Sequence, residues 1–415
     1  MDSSPLIIFC ILFFGCPNWL NAQDSVSSKA FELEAIYSAL PWYNLEGGIE
    51  SDFVYMDNLD LSAKINFHRI FNLEEQLSLY VYALRNNGAQ ATDLMGDFQV
   101  ASNIESVRSW RLFELFVQQN FYKNRISVLA GLYDLNSEFD VLRPGTLFIN
   151  SSFGIGAEYA QAGKNGPSIF PISSLGIRMA TLIGDRIRMK VCILDGVPGD
   201  PDNLKSNEIH LSKEDGALLA SEFSIYTDRN FTRERNIIER NYETRRRKVG
   251  RDFEASRNDK INIGFWYFTS DFREINDSLS KENTNMGAYI GMQKYIRINQ
   301  KNDHLSLFLR FGLANSHFNF FGTSLSGGIV LGNPFFKMRD SFGLGFSSGY
   351  KGNKHPLSKG DFNNAETALE FTYSLPLTSW FLLQPDIQYI INPSLRNDIS
   401  NPLSLAILMQ ITVGN

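Results

Sequence analysis

Hydrophobic and polar residues alternate in many short stretches of this chain. From Leu59 to His68, every odd position is apolar and every even position is polar or charged. The odd positions are also uniformly apolar in residues 187–193, 305–313 and 403–413. A stretch of roughly ten residues with this period fits a tilted β-strand that crosses a membrane with one face toward lipid.

The apolar faces favour a membrane barrel over a soluble β-sandwich, which also alternates. These faces are nearly free of charge, and a Lys or Arg facing lipid costs roughly 2–4 kcal/mol at mid-membrane. We therefore predict an all-β fold, a transmembrane antiparallel β-barrel. Pairs of aromatic residues near strand ends resemble the girdles at membrane interfaces, and they are Trp42-Tyr43, Phe121-Tyr122, Phe335-Phe336 and Trp380-Phe381.

The pattern predicts about sixteen strands, with residues 31–40 as one further candidate. Such a barrel encloses a water-filled lumen rather than a packed core. The predicted strands cover residues 48–56, 59–69, 76–86, 109–121, 126–133, 173–183, 186–194, 217–227, 261–269, 285–296, 303–314, 321–332, 340–350, 365–375, 380–390 and 402–413.

The predicted connections alternate between short and long. Short connections are typical of periplasmic turns, and long ones of extracellular loops. The short ones cover residues 70–75, 122–125, 184–185 and 376–379, and the long ones 87–108, 134–172, 195–216, 270–284 and 351–364.

The segment from Leu147 to Pro171 has neither strand alternation nor a helical stripe. It carries four glycines and two prolines, residues that mark turns and loops. A loop of roughly twenty-five residues is rare in a compact domain and is usually functional. We predict that this loop, which the strand count places on the extracellular side, folds into or over the lumen of the barrel.

The N-terminus has the features of an export signal. Residues 5–15 form an apolar core that is too short to span a bilayer as a helix, and Ala22 ends a plausible cleavage site. We predict a signal peptide at 1–22 and one barrel domain at 23–415, located in the outer membrane of a Gram-negative bacterium. Cleavage leaves Cys192 as the only cysteine, so no intramolecular disulfide is expected.

Residues 228–260 interrupt the predicted alternation of connections, because a short periplasmic turn is due there. The segment holds 11 Lys or Arg and 7 Asp or Glu among its residues. It is interpreted as a solvated charged periplasmic insert, with a docking site for an acidic partner as the alternative. The net charge of −6 argues against nucleic acid as a partner.

Residues of mixed chemistry fall on the predicted lumen face. Cationic, acidic, amide and aromatic side chains together suit a neutral polyhydroxylated solute, whose hydroxyls need donors and acceptors and whose C–H faces pack on rings. A phosphate channel would instead require a cleaner ring of Arg and Lys. The predicted lumen residues include Arg178, Arg186, Arg188, Lys190, Arg310, Glu114, Gln118, Glu222, Glu366, Glu370, Gln384, Asp386, Gln388, Tyr80, Tyr82, Phe116 and Trp266.

No catalytic motif stands out. The five histidines are scattered, and no G-x-S-x-G, H-E-x-x-H or Walker sequence is present. Residues 195–202 are rich in oxygen ligands but lack the spacing of a calcium loop, and they are interpreted as a turn. We expect no enzyme activity, no cofactor and no bound metal.

Eight segments, in order and spacing, resemble the carbohydrate-selective porins of the OprB family. They include GDFQVASNIES at 96–106, RLFELFVQQ at 111–119, SVLAGLYDLNSEF at 127–139, the glycine-rich loop at 147–171, LDGVPGDPDN at 194–203, FWYFTSDF at 265–272, RFGLANS at 310–316 and QPDIQYIINP at 384–393.

The resemblance implies a sixteen-stranded outer-membrane barrel that admits glucose and related sugars by passive diffusion. It also implies a constriction formed by inward-folded loops and lumen side chains. Carbohydrate solutes, outer-membrane lipid and the barrel-insertion machinery are then the expected partners. The expected path and constriction residues are Arg111, Glu114 and Gln118 on the wall, Phe148, Asn150, Phe153, Glu158, Tyr159 and Asn165 in the loop, and Arg178, Arg188, Arg310, Glu370 and Gln388 on the lumen face of other strands.

Three departures from the family pattern limit this transfer. The charged insert replaces a short turn, the chain lacks a C-terminal aromatic residue, and several lumen charges match no motif. Two alternatives stay open from the sequence. One is a plugged outer-membrane receptor or adhesion barrel, and the other is an outer-membrane barrel enzyme.

Overall fold

The computed structural model describes ten segments of the chain. The predicted signal peptide and most of the predicted insert lie outside the described residues. No helix of these segments is long and apolar enough to cross a bilayer. The described residues are 29–122, 124–206, 209, 211–227, 258–274, 277–282, 285–299, 303–336, 338–352 and 362–414.

Sixteen antiparallel strands close into a barrel, in which the first strand pairs with the last. Neighbours in the chain are neighbours in the sheet, except that a small hairpin, β10–β11, intervenes between β9 and β12. The strands are β1 Phe31–Gly48, β2 Phe53–Asn66, β3 Leu77–Asn86, β4 Ser109–Phe121, β5 Ile126–Tyr133, β6 Ser174–Ile183, β7 Ile187–Asp195, β8 Ala217–Tyr226, β9 Lys260–Phe268, β10 Phe272–Glu274, β11 Asp277–Glu282, β12 Met286–Arg297, β13 His304–Ala314, β14 Phe321–Gly332, β15 Ser341–Lys351, β16 Ala365–Pro376, β17 Phe381–Ile391 and β18 Ser400–Gly414.

The predicted number of barrel strands is confirmed, but the first two predicted strands were wrong. Residues 31–40, the extra candidate, belong to β1, and the segments 48–56 and 59–69 are replaced by the single strand β2. Gly47 and Gly48 end β1 with φ angles of 71° and 73°. At Gly47 a Cβ would lie 2.1 Å from the carbonyl oxygen of Asn401, so this turn requires glycine.

Polar residues explain why the sequence suggested a break inside β2. Asp and Asn favour turns, yet Asp57 and Asn58 are both paired within the sheet. Asp57 forms an ion pair with Arg85 of β3 at 2.6 Å, and the Asn58 amide donates to Asp60 at 2.8 Å. The strand ends at Asn66, where the short helix α1, Phe67–Ile70, begins.

The two faces of the barrel differ as the alternation predicted. Apolar side chains such as Ile193, Phe265 and Leu344 are exposed on the outside, where lipid would cover them. Among the predicted girdle residues, Tyr43, Tyr122, Phe335 and Phe336 are exposed, as are Phe121 and Trp380. Phe381 is partly exposed, and Trp42 is fully buried because it lies on the inner face of β1.

Successive connections alternate between the two ends of the barrel, and the long β3–β4 and β5–β6 loops share one end. We call this end the loop end and the opposite one the turn end, and by the usual orientation they are extracellular and periplasmic. The β3–β4, β5–β6 and β7–β8 connections lie at the loop end, whereas the β4–β5 and β6–β7 connections lie at the other end. The β8–β9 connection belongs to the turn end, and Lys260, the last residue of the predicted insert, is the first residue of β9.

Two loops of the loop end fold into the barrel. The β3–β4 loop, residues 87–108, contains helix α2, Thr92–Met95, and the β5–β6 loop, residues 134–173, contains helix α3, Ala157–Ala160. None of residues 134–163 is exposed. Because these thirty consecutive loop residues include no exposed one, this part of the loop must lie in the interior, and the lumen holds it instead of solvent alone.

Candidate pore constriction

Arg310 on β13 is the main anchor of the β5–β6 loop. Its guanidinium pairs with Asp140 and with Glu158, each at 2.7 Å, and also donates to the hydroxyl of Ser324 at 2.8 Å. The Arg310 side chain is 4% exposed. A buried Arg with two carboxylates and further hydrogen bonds is stable only as a complete set, since removing one member leaves an uncompensated charge.

Glycine makes this close approach possible. A Cβ at Gly156 would lie 1.8 Å from Nη1 of Arg310, and one at Gly312 would lie 1.9 Å from Oε1 of Glu158. Neither distance is compatible with a side chain. These two glycines, one in the loop and one in the wall, therefore let α3 sit directly against β13.

A second set of polar contacts fixes the start of the loop to β6, β7, β8 and β12. Glu222 pairs with Lys190 at 2.7 Å and accepts from the Tyr289 hydroxyl at 2.7 Å and from the Asp140 amide at 2.8 Å. Arg178 pairs with Glu138 at 2.8 Å. Residues 138–140 are thus held to several strands on one side of the barrel.

The middle of the loop is fixed to β16 and β17 on another side of the barrel. The Glu370 carboxylate accepts from the backbone amides of Ile149 and Asn150, at 2.5 and 2.9 Å. Gln384 donates to the carbonyl oxygen of Leu147 at 2.9 Å. Because strands around much of the barrel contribute anchors, the loop crosses the lumen instead of lining one wall.

The β3–β4 loop is fastened by Glu366 of β16. This carboxylate accepts from the amides of Phe98 and Gln99, each at 2.9 Å. The two loops also bond to each other, since the Ser151 amide donates to the Val100 carbonyl at 3.1 Å and the Gln161 side chain donates to the Phe98 carbonyl at 2.7 Å. Together they form one layer across the barrel, which we call the loop layer.

Aromatic packing supports the loop layer. The ring of Tyr159 stacks on Trp266 of β9, with the centroids 5.0 Å apart and the planes 3° from parallel. Phe148 and Phe153 stack on each other at 4.4 Å, and both rings contact Phe308 of β13. Burial of such rings adds apolar stabilisation to the polar anchors.

Twelve of the fourteen predicted path residues are buried against the loop layer or against the wall. Glu114 accepts from the Asp134 amide at 2.9 Å, and Arg111 donates to the Ser206 carbonyl at 3.1 Å. Asn165 and Arg188 are partly exposed. The twelve buried residues are Arg111, Glu114, Gln118, Phe148, Asn150, Phe153, Glu158, Tyr159, Arg178, Arg310, Glu370 and Gln388.

The structure adds residues that the sequence did not single out. Glu138 and Asp140 complete the ion pairs of Arg178 and Arg310. The available signal was their position, since these acids lie within seven residues of the end of β5, at the start of the loop. The sequence did not identify Tyr289, because alternation shows on which face of a strand an aromatic residue lies but not which residues it contacts.

Two buried acids of the β3–β4 loop give the loop layer a pH dependence. Burial and the nearby Asp97 raise the pKa of Glu105 to about 8, and burial raises the pKa of Asp97 to about 6. An acid whose pKa is higher in the folded loop than in the unfolded loop stabilises the folded loop when it is protonated. The folded position of the β3–β4 loop should therefore become less stable as pH rises from about 4.5, the ordinary pKa of Glu, to about 8.

We expect the conductance of the purified channel to rise over this pH range as the β3–β4 loop loosens. Glu105→Gln should flatten the profile above pH 6, because the amide cannot ionise. Single-channel recording in buffers of constant ionic strength measures both. A wild-type conductance that does not change with pH would contradict the prediction, as would the same profile in the variant.

The comparisons with known proteins agree on one family. A family model described as carbohydrate-selective porin, OprB family, matches residues 50–413. Porin B of Pseudomonas aeruginosa is 20% identical over 95% of this chain and 90% of that protein. The sequence resemblance to this family is confirmed.

Solved structures share the fold. A high-pH structure of Pseudomonas putida OprB has a TM-score of 0.75 at 17% identity, covering 92% of this chain and 94% of the other. A triple mutant of Rhodopseudomonas blastica porin has a TM-score of 0.52 at 8% identity, covering 92% of this chain and 100% of the other. Because the family match extends over most of the chain, the protein belongs to the OprB family of carbohydrate-selective porins.

Proposed function

We propose that the protein is a passive channel through which mono- and oligosaccharides such as glucose diffuse across the outer membrane into the periplasm. Family membership makes it an outer-membrane porin. The single observation that carries the finer proposal is the loop layer. Anchors from β6–β8, β12, β13, β16 and β17 hold it across the lumen, so the solute must pass a narrow, polar opening.

The predicted path residues acquire a positioning role in this proposal. Arg310, Glu158 and Glu370 hold the loops, and the loops set the size of the opening. Selectivity would then follow from pore diameter and from the hydrogen-bonding groups that line it. The barrel has no catalytic task in this proposal, and its further partners are outer-membrane lipid and the machinery that inserts barrels.

Reconstitution into liposomes tests the proposal. Vesicles with the purified protein should swell faster in iso-osmotic glucose than empty vesicles, and faster in glucose than in a trisaccharide. Swelling no faster than in empty vesicles would refute the sugar channel and would favour a plugged receptor barrel. A vesicle with heat-denatured protein serves as the control for leakage.

A further inference from the structure

Polar side chains on the inner face of β1 and β2 form a strip that is accessible below the loop layer. On β2, Asp60, Ser62 and Lys64 occupy successive inward positions, and all three are partly exposed. On β1, Glu32 and Glu34 also face inward and are partly exposed. We call these five residues the inner strip.

The strand register joins the two halves of the inner strip. Glu32 of β1 pairs across the sheet with Lys64 of β2, and Glu34 pairs with Ser62. Leu61, on the opposite face of β2, is exposed on the outside of the barrel. The inner strip is therefore one continuous patch of the lumen wall.

The inner strip extends from the turn end to the underside of the β3–β4 loop. Asp60 lies six residues before Asn66, the end of β2 at the turn end, which is about 20 Å along the strand. Beyond Asp60 the inward residue Met56 is buried, and it belongs to one apolar cluster with Ala91 and Met95 of the β3–β4 loop. The accessible patch thus ends where the loop layer begins.

The other strands of the barrel are not open to this depth. Every polar side chain on the inner face of β8, β13, β16 and β17 is buried. Where inward polar residues of other strands are accessible, as at Arg188, Lys260 and Tyr295, they lie within two residues of an end of their strand. A water-filled path needs a wall that water can reach. Among the described strands, β1 and β2 therefore offer a solute the deepest polar approach from the turn end.

The inner strip has more acidic than basic groups. It carries three carboxylates, of Glu32, Glu34 and Asp60, and one ammonium, of Lys64. The Lys64 ammonium lies 3.9 Å from the Glu32 carboxylate, and the two side chains are 17% and 30% exposed. A pair this long and this accessible holds its side chains only weakly. Both groups can therefore turn toward a passing solute.

Asp60 is the firmly placed charge at the upper end of the inner strip. Its Oδ1 accepts a hydrogen bond from the Tyr82 hydroxyl at 2.5 Å and from the Asn58 amide at 2.8 Å. These contacts fix the carboxylate on the lumen side of β2, directly below the loop layer. Its negative charge therefore acts on every solute that enters or leaves the layer on this side.

We propose that the inner strip is the wall of the solute path on the periplasmic side of the loop layer, and that its carboxylates make the channel prefer neutral and cationic sugars to anionic ones. Carboxylates accept hydrogen bonds from sugar hydroxyls and from the ammonium of an amino sugar. A sugar that carries a carboxylate or phosphate meets like charge instead. This inference rests on the proposed function, since the ligand is the permeating sugar.

Cysteine accessibility tests the position of the path. In planar bilayers, a water-soluble methanethiosulfonate reagent added to the periplasmic side should modify a Ser62→Cys channel and lower its conductance stepwise. Ser306→Cys is the matched control, because Ser306 lies on the inner face of β13 and is buried. It should stay unmodified, as should the wild type, whose Cys192 is buried.

Reversal potentials test the charge preference. In gradients of glucosamine hydrochloride and of potassium glucuronate, the full-length channel should admit the glucosamine cation more readily than the glucuronate anion. Asp60→Asn should lower this preference about threefold, as expected for one unit charge acting across several ångströms of water, and Asp60→Glu should retain it. Asp185→Asn is the control, because it removes the same charge from an exposed position of the β6–β7 turn, at the same end of the barrel.

Several outcomes would overturn the inference. An unreactive Ser62→Cys channel that folds, or a Ser306→Cys channel that reacts equally fast, would place the path elsewhere. Equal permeability of the two sugar ions, or a preference that Asp60→Asn leaves unchanged, would refute the role of the carboxylates. The proposed function fails separately, when the wild-type channel passes no glucose in vesicles.

Discussion

Replacing Arg310 with Met should open the channel, with a severalfold rise in single-channel conductance. The change leaves Asp140 and Glu158 buried without their cation. Breaking a buried ion pair by removing one partner costs about 3–5 kcal/mol. The loop can escape this cost by leaving the wall, whereas the strands of the barrel cannot. The expected result is a folded barrel with a wider and noisier pore.

Two controls separate loop release from general damage. Arg85→Met removes an ion pair of similar length between β2 and β3, which is partly exposed, and such pairs contribute only about 0–1 kcal/mol. It should leave the conductance unchanged. The triple variant Arg310→Met, Asp140→Asn, Glu158→Gln carries no charge at this point, so it should recover part of the wild-type conductance. An Arg310→Met channel that folds and conducts like the wild type would show that this anchor does not hold the loop.

The barrel could be predicted from local sequence because each strand carries its own signal. Leu305, Leu307 and Leu309 mark a lipid face without reference to any other strand, and the same holds for β7 and β18. The prediction failed where local signals conflict. Asp57 and Asn58 have the chemistry of turn residues, and only their partners on β2 and β3 reveal a continuous strand.

The loop layer could be predicted only in outline. Its glycines and its length indicated an inward-folded loop, and alternation placed Arg310 and Glu370 on the lumen face. Their partners could not be derived, because Arg310 and Glu158 are 152 positions apart in the chain. The approach of these two residues depends on the curvature of the whole barrel. Local periodicity carries no information about it.

Burial also changed the meaning of the predicted path residues. Phe148 and Tyr159 were expected to offer their rings to a sugar, yet their rings pack on Phe153 and Trp266. A sequence shows that an aromatic residue lies in a loop, but not whether its ring faces water or another ring. These residues therefore contribute to function by holding the loop in position.

Deleting residues 154–166 and joining the ends with a short Gly-Ser linker should enlarge the pore more than any single substitution. The deletion removes α3, and with it the Glu158 pair to Arg310 and the stacking of Tyr159 on Trp266. The anchors of Asp140 and Asn150 remain, so the start and the middle of the loop should stay in place. The pairing between barrel strands does not involve the deleted residues. The unheated protein should therefore still migrate differently from the heated protein in SDS gels.

The size limit for sugars is the most direct measure of this deletion. Liposomes with the shortened channel should swell in a trisaccharide almost as fast as in glucose, because the layer that set the limit has lost one of its parts. Replacing the exposed residues 201–205 of the β7–β8 loop with Gly and Ser is the matched control. It changes the same end of the barrel without touching the interior. If the deletion left both the conductance and the size limit as in the wild type, the narrowest point of the channel would lie elsewhere.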